Sequence, residues 1–218
     1  MDRKILLAGA ILAMTIAGTA CGGGGDTPDG REAAAASEAW AGYKSAILAK
    51  DGTKAAGHLS TETIAYYEDI RMLALGADKD ALASEAMVDR LNVVTMRVMF
   101  SSAELRAVDG SGLVREAVER GLIGEAGTAS TELRSVKVSG DTAVGDLVSG
   151  DATGGRLDFR RESGAWKIHL VALLQSVDSV LRQTARDRGL EEDAFILQAV
   201  GAASGKPVSE DVWDPTKF

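Results

Sequence analysis

Four short runs of alternating apolar and polar side chains, separated by glycine turns within residues 131–171, constrain this chain's fold more than any other feature. Residues 131–138 and 142–148 flank Gly140 and Asp141, a dipeptide suited to a tight hairpin. A glycine-rich loop, 149–155, leads to Leu157 and Phe159 alternating with Arg156, Asp158 and Arg160. Ser163, Gly164 and Ala165 form the next turn, after which Trp166, Ile168 and Leu170 alternate with Lys167, His169 and Val171. Runs of period two joined by such short turns predict an antiparallel meander with one apolar face. Leu157, Phe159, Trp166 and Ile168 are then core residues, whereas the charged side chains, His169 among them, lie on the outer face.

A half-buried sheet needs a cover, and the preceding segment has the texture to supply one. From Arg31, the residues Ala36, Trp40, Tyr43, Ile47 and Leu48 recur on one helical stripe, with Trp40 and Tyr43 in the core. Ser60 or Thr61 caps a second helix running through Leu75. A third buried stripe comprises Leu82, Met87, Leu91, Val94 and Val98; residues 93–100 also alternate as a strand would, and helix is the preferred reading. Residues 113–120 make another helix, and two more follow the sheet, ended by Gly189 and by Gly205, Lys206 and Pro207. The tail, with Val212, Trp213 and Phe218, is apolar enough to dock on the domain. The expected fold is α+β: a four-stranded antiparallel sheet packed on several helices, with a largely helical middle insertion and C-terminal helices, in one domain over 31–218.

The N-terminal residues, MDRKILLAGAILAMTIAGTAC, give an address. Arg3 and Lys4 precede an apolar run over 5–17 that is too short for a bilayer core requiring ~20 residues, which reads as a secretory signal over residues 1–20. The segment resembles a bacterial lipoprotein signal ending at Thr19, Ala20 and Cys21. That resemblance implies acylation of Cys21, a covalent lipid as the only prosthetic group, and a membrane-anchored, extracytoplasmic place in the bacterial cell envelope. Residues 21–30, rich in glycine, form a tether in which Pro28 and the aspartates oppose a helix. Cys21 is the sole cysteine, so no disulfide within the chain exists. The net charge is −8, and loss of the leader, which carries a net +1, makes it −9. An acidic chain argues against nucleic acid as a partner and against a polybasic contact with lipid head groups.

The segments YKSAILAKDGTKAAGHLSTETIAYYEDIR, VKVSGDTAVGDLV, LDFRRE and SGAWKIHL resemble the cone-shaped α+β superfamily of nuclear transport factor 2 and ketosteroid isomerase. The resemblance spans residues 31–75 and 128–171. It implies a curved sheet wrapped around helices with a pocket on its concave side, and it leaves chemistry open, since enzymes, ligand binders and assembly modules share such a fold.

Candidate site residues are few. His58 falls on a loop before a helix cap and His169 on an outward strand face, placements that suit surface or packing roles better than acid–base catalysis. Pockets of the resembled superfamily often join a phenol to a carboxylate, which makes Tyr66, Tyr67 and Asp69, with His58, the candidate pocket set. Two tyrosines packing a helix is the plainer alternative. No metal-ligand spacing occurs, and Gly110, Ser111 and Gly112 lack the third glycine of a dinucleotide turn. The reading favoured by the sequence is a lipid-anchored, non-catalytic protein binding an envelope partner or a small apolar ligand. The alternatives are an isomerase-like or dehydratase-like pocket enzyme and a self-associating structural subunit.

Overall fold

Helices occupy the first half of the fold. In a computed structural model, which describes residues 27–123, 125–149 and 152–218, the first is α1 (Pro28–Leu48). It starts ahead of Arg31 because Pro28 stands in the first turn, where a missing N–H breaks no helical bond, and because the Thr27 hydroxyl accepts from the Gly30 amide at 3.1 Å. Pro28 thus opens a helix where the sequence reading had it oppose one, and residues 28–30, expected in the tether, belong to α1. The leader and Cys21 lie outside the described residues. On α1, Tyr43 and Ile47 are buried as expected, Trp40 is half-buried at the margin of the core, and Leu48 faces solvent.

The helical middle consists of α2 (Gly52–Gly57), α3 (Thr61–Gly76), α4 (Lys79–Leu82), α5 (Met87–Met99), α6 (Ser102–Ala107), α7 (Gly110–Glu119) and α8 (Glu125–Ser130). Residues 93–99 are therefore helix, as preferred. The Gly110-Ser111-Gly112 segment opens α7 under an Asp109 cap, and Gly110 lets α7 meet α3: a Cβ there would sit 2.6 Å from the Ile64 carbonyl oxygen.

Strands β1 (Thr131–Ser139), β2 (Thr142–Ser149), β3 (Ala152–Glu162) and β4 (Ala165–His169) form an open antiparallel sheet in the order β1-β2-β3-β4. The fold is α+β, with ten α-helices among the described residues. Residues 152–155, expected to be loop, belong to β3. A bulge at Ser135, whose φ is 54°, shifts the β1–β2 register between Arg134 and Lys137. The chain finishes with α9 (Val171–Asp187), α10 (Glu192–Ser204) and a 3₁₀ turn, Glu210–Trp213.

The inner sheet face buries Ala143, Leu147, Leu157, Phe159, Trp166 and Ile168 against α1, α2 and Val114 and Val118 of α7. A second apolar cluster joins α3, α5, α7, α10 and the tail around Ile70, Val93, Val94, Leu113, Ile196 and Trp213. Tyr67 packs on both. Long-range side chains also tie the helices down. Asp178 of α9 accepts from the Val88 amide at 3.0 Å, capping α5, which has no cap of its own, and Arg90 of α5 pairs with Glu192 and Asp193 at the start of α10.

Candidate functional site

His169 is the clearest departure from the sequence reading. It is 5 % exposed, not on an open face. The cause lies at the edge of the sheet, where Leu59 bridges Ile168 in parallel, the Ser60 amide donates to the Ile168 carbonyl at 2.8 Å and the Ile168 amide donates to the His58 carbonyl at 2.8 Å. Residues 58–60 thus lie alongside β4 and bring the N-terminus of α3 over His169. The strand also ends there: Leu170 has α-helical dihedrals and leads into α9, so the expected alternation to 171 stops two residues short.

His169 Nδ1 lies 3.2 Å from Ser60 Oγ and 3.6 Å from Glu62 Oε2. Serine, histidine and carboxylate are the members of a nucleophilic triad, but a relay requires the nucleophile and the carboxylate on opposite ring nitrogens. Here both approach Nδ1, and Ser60 is fully buried with its oxygen engaged as the cap of α3, accepting from the Thr63 amide at 3.2 Å. Thr63 Oγ1 in turn accepts from the Leu170 amide at 2.9 Å and donates to the Ile168 carbonyl. The cluster fastens α3 to the end of β4. Glu162 adds to it by accepting from the Thr61 amide at 3.0 Å.

His58 packs edge-on against α1: a Cβ on Gly42 would come within 2.5 Å of its ring. Burial, reinforced by the Lys167 charge, holds its pKa below the ordinary histidine value. His58→Gln is therefore expected to change stability little at pH 8, and to remove a stability loss that the native protein shows as pH falls below about 6.5. The sign follows because protonation becomes easier in the unfolded chain than in the folded one. His169→Gln, which perturbs a buried hydrogen bond, should cost about 1–3 kcal/mol by denaturant titration at pH 8. Equal, negligible losses for both variants would refute the burial argument.

The candidate set Tyr66, Tyr67, Asp69 and His58 does not converge. Asp69 is exposed on α3, while its neighbour Ile70 is buried. Tyr66 instead donates to Asp89 at 2.7 Å and accepts from the Asn92 amide nitrogen at 2.9 Å, both on α5. Burial, then the Asp89 contact, raises its pKa, keeping the phenol neutral. Tyr67 is pushed up to about 12 by burial, its ring meeting that of Tyr66 at 5.3 Å between centroids. Asp89 and Asn92 were missed, although their spacing of three places them on one face of a helix.

A cavity of about 390 Å³ opens elsewhere, on the outer face of the sheet, lined by Ser135, Lys137, Ser139, Thr142, Val144, Asp146 and Arg156 among others. The register stacks this face in cross-strand rows: Arg134, Asp146 and Arg156; then Lys137, Val144, Asp158 and His169; then Ser139, Thr142, Arg160 and Lys167. Arg134 pairs with Glu132 at 2.8 Å and Lys167 donates to the Gly57 carbonyl at 2.5 Å. Lys137, Asp146, Arg156, Asp158 and Arg160 have neither an ion pair nor a side-chain hydrogen bond with a described residue. The charged character of β3 and β4 is visible in their alternation, whereas the bulge at Ser135 conceals which β1 side chains join them.

No group of three potential metal ligands occurs among the described residues, nor does any helix there have the length and apolarity to cross a membrane. No family model matches the chain, and neither a curated protein nor a solved structure matches it.

Proposed function

We propose that this chain is a lipid-anchored, extracytoplasmic protein of the bacterial cell envelope with a non-catalytic role, holding an envelope partner on the open face of its sheet. The observation that carries this reading is the outer sheet face, where five charged side chains beside a cavity lack partners among the described residues. Surface charges that serve only solubility are spread over a protein, whereas a charged groove over three strands favours specific contact. Its lining supports a protein partner over a small apolar ligand, whose pocket would be mostly hydrophobic. The engagement of Ser60, His169 and Tyr66 in caps and bridges between elements supports a structural role for the residues that most resemble catalytic ones. The anchor rests on the sequence from Arg3 to Cys21.

Two measurements test this reading. Cys21→Ser should abolish fatty-acid labelling and release the domain from membranes or leave an unprocessed precursor, because the acceptor thiol is gone; persistent labelling would refute the anchor. A photo-crosslinking residue at Val144, on the sheet face, should give an adduct with one envelope protein that also binds the purified chain. The same probe at Glu119, exposed on α7, should not. Equal adducts from both positions, or none from Val144, would refute the binding face.

A further inference from the structure

We infer that the partner presents an acidic, extended peptide segment to this face and that Lys137 and Arg156 receive its carboxylates, an inference that rests on the sheet face being the binding surface. The chain as a whole is acidic at −8, yet this face has the opposite sign. Arg134, Lys137, Arg156, Arg160 and Lys167 stand against Glu132, Asp146, Asp158 and Glu162 in the cross-strand rows, five cations to four carboxylates, or +1, and Glu162 is already engaged by the Thr61 amide. Arg134 and Lys167 are engaged, which leaves Lys137, Arg156 and Arg160 available.

Cross-strand neighbours have Cβ atoms about 5 Å apart, within reach of an ion pair. Asp146 is flanked in its row by Arg134 and Arg156 and is ion-paired with neither. Arg156 consequently keeps its guanidinium donors free of any partner among the described residues at the rim of a groove, the arrangement that accepts a carboxylate in bidentate fashion. Ser135 and Ser139 add hydroxyls to the same lining.

The carboxylates within the face decide which anion fits. Asp146 lines the cavity and Asp158 lies one row away, so a continuous run of phosphates would meet repulsion between the cations. Spaced carboxylates on a peptide can avoid both. Lys137 and Arg156 lie on β1 and β3, two strand spacings and one row apart, which is roughly 12 Å. Four residues of extended chain cover about 13 Å and return the side chain to the same side, so two glutamates four positions apart match the two cations.

The test uses the full chain in detergent with a fluorescent nine-residue peptide of Ser, Thr and Gly carrying glutamates four positions apart, followed by anisotropy at low salt. Replacing both glutamates by glutamine should weaken binding about tenfold or more, as should Lys137→Gln with Arg156→Gln in the protein. Arg115→Gln, removing an exposed cation on α7, should leave binding unchanged, and the melting temperature of each variant confirms folding. Equal binding of the glutamine peptide, full binding by the double variant, or preferential binding of inorganic polyphosphate would overturn the inference. If the Val144 adduct persists at full yield in the double variant, the sheet face remains the binding surface and the acidic segment is refuted. If Val144 gives no adduct, the binding-face reading itself fails.

Discussion

Replacing Arg97 by methionine is expected to lower folding stability by about 3–5 kcal/mol and to release the C-terminal tail. Arg97 lies on α5 and is only 4 % exposed, with its guanidinium surrounded by backbone carbonyls instead of a carboxylate. Nε donates to the Ala74 carbonyl at 2.9 Å, Nη2 to Leu73 at 3.2 Å and to Ala77, and Nη1 to both Val212 and Trp213 at 3.0 Å. Leu73 and Ala74 lie in the last turn of α3 and Ala77 is its cap, at the negative end of the helix dipole; the Leu73 carbonyl also accepts from the Ala77 amide at 2.9 Å, whereas Ala74 and Ala77 are held by Arg97. Burial lowers the Arg97 pKa, opposed by Asp214, but arginine remains charged at any relevant pH. One cation therefore completes the end of α3 and binds the tail to it, with the Phe218 ring 5.4 Å from the guanidinium. Methionine matches the stem and supplies none of the donors, and each buried carbonyl left unpaired costs about 1–3 kcal/mol before water reaches it. Urea unfolding measures the loss, and amide exchange at Val212 with proteolysis of the tail reports its release. A loss under about 1 kcal/mol with the tail still protected would show that the carbonyls are solvated without Arg97. Arg97→Lys should not restore stability, since an ammonium cannot span carbonyls from α3 and the tail in one plane.

The sheet could be read from the sequence because local information determines it. Gly140 and Gly164 fix the turns, and Phe159 paired with Ile168 needs only a count of residues from the second turn. Tail docking was legible through Trp213, which is too apolar to remain in water and is 3 % exposed. What escaped were contacts made across long separations in the chain. His169 alternates as an outward residue, and only the addition of residues 58–60 to the edge of β4 buries it. Asp178 caps α5 from 90 residues away and Glu162 supplements the cap of α3 from 101, so neither appears as a local capping pattern. The candidate pocket failed for a related reason. Helical spacing fixes that Tyr66 and Asp69 share a helix, but not that α5 packs against Tyr66 and supplies Asp89 in place of Asp69. Pro28 was a different error, a local signal weighed as a helix breaker where its position made it a helix opener.

Adjacent residues of β4 should respond to truncation very differently, with Trp166→Ala costing about 3–5 kcal/mol and Lys167→Ala about 0.5 kcal/mol or less. Trp166 is 6 % exposed on the inner face, packed with Phe159 and Ile168 in the cluster that joins the sheet to α1. Removing its indole empties a space that the sheet cannot easily collapse into, because β3 holds β4 in register from Asp158 to Glu162. Its Nε1 also donates to Glu32 Oε2 at 2.8 Å, and Glu32 accepts Arg161 at 3.1 Å, so the ring connects α1 to the sheet at a polar point as well as an apolar one. Trp166→Phe separates these contributions: it keeps an aromatic ring and loses the hydrogen bond, for an expected cost nearer 1–2 kcal/mol, since Glu32 is half-exposed and can turn to Arg161 and water. Lys167 points to the opposite face, where its ammonium meets the Gly57 carbonyl at the surface. Denaturant unfolding of the three variants decides the matter. Comparable losses for Trp166→Ala and Lys167→Ala would mean that the two faces of β4 are not distinguished, and the inner core as described would be wrong.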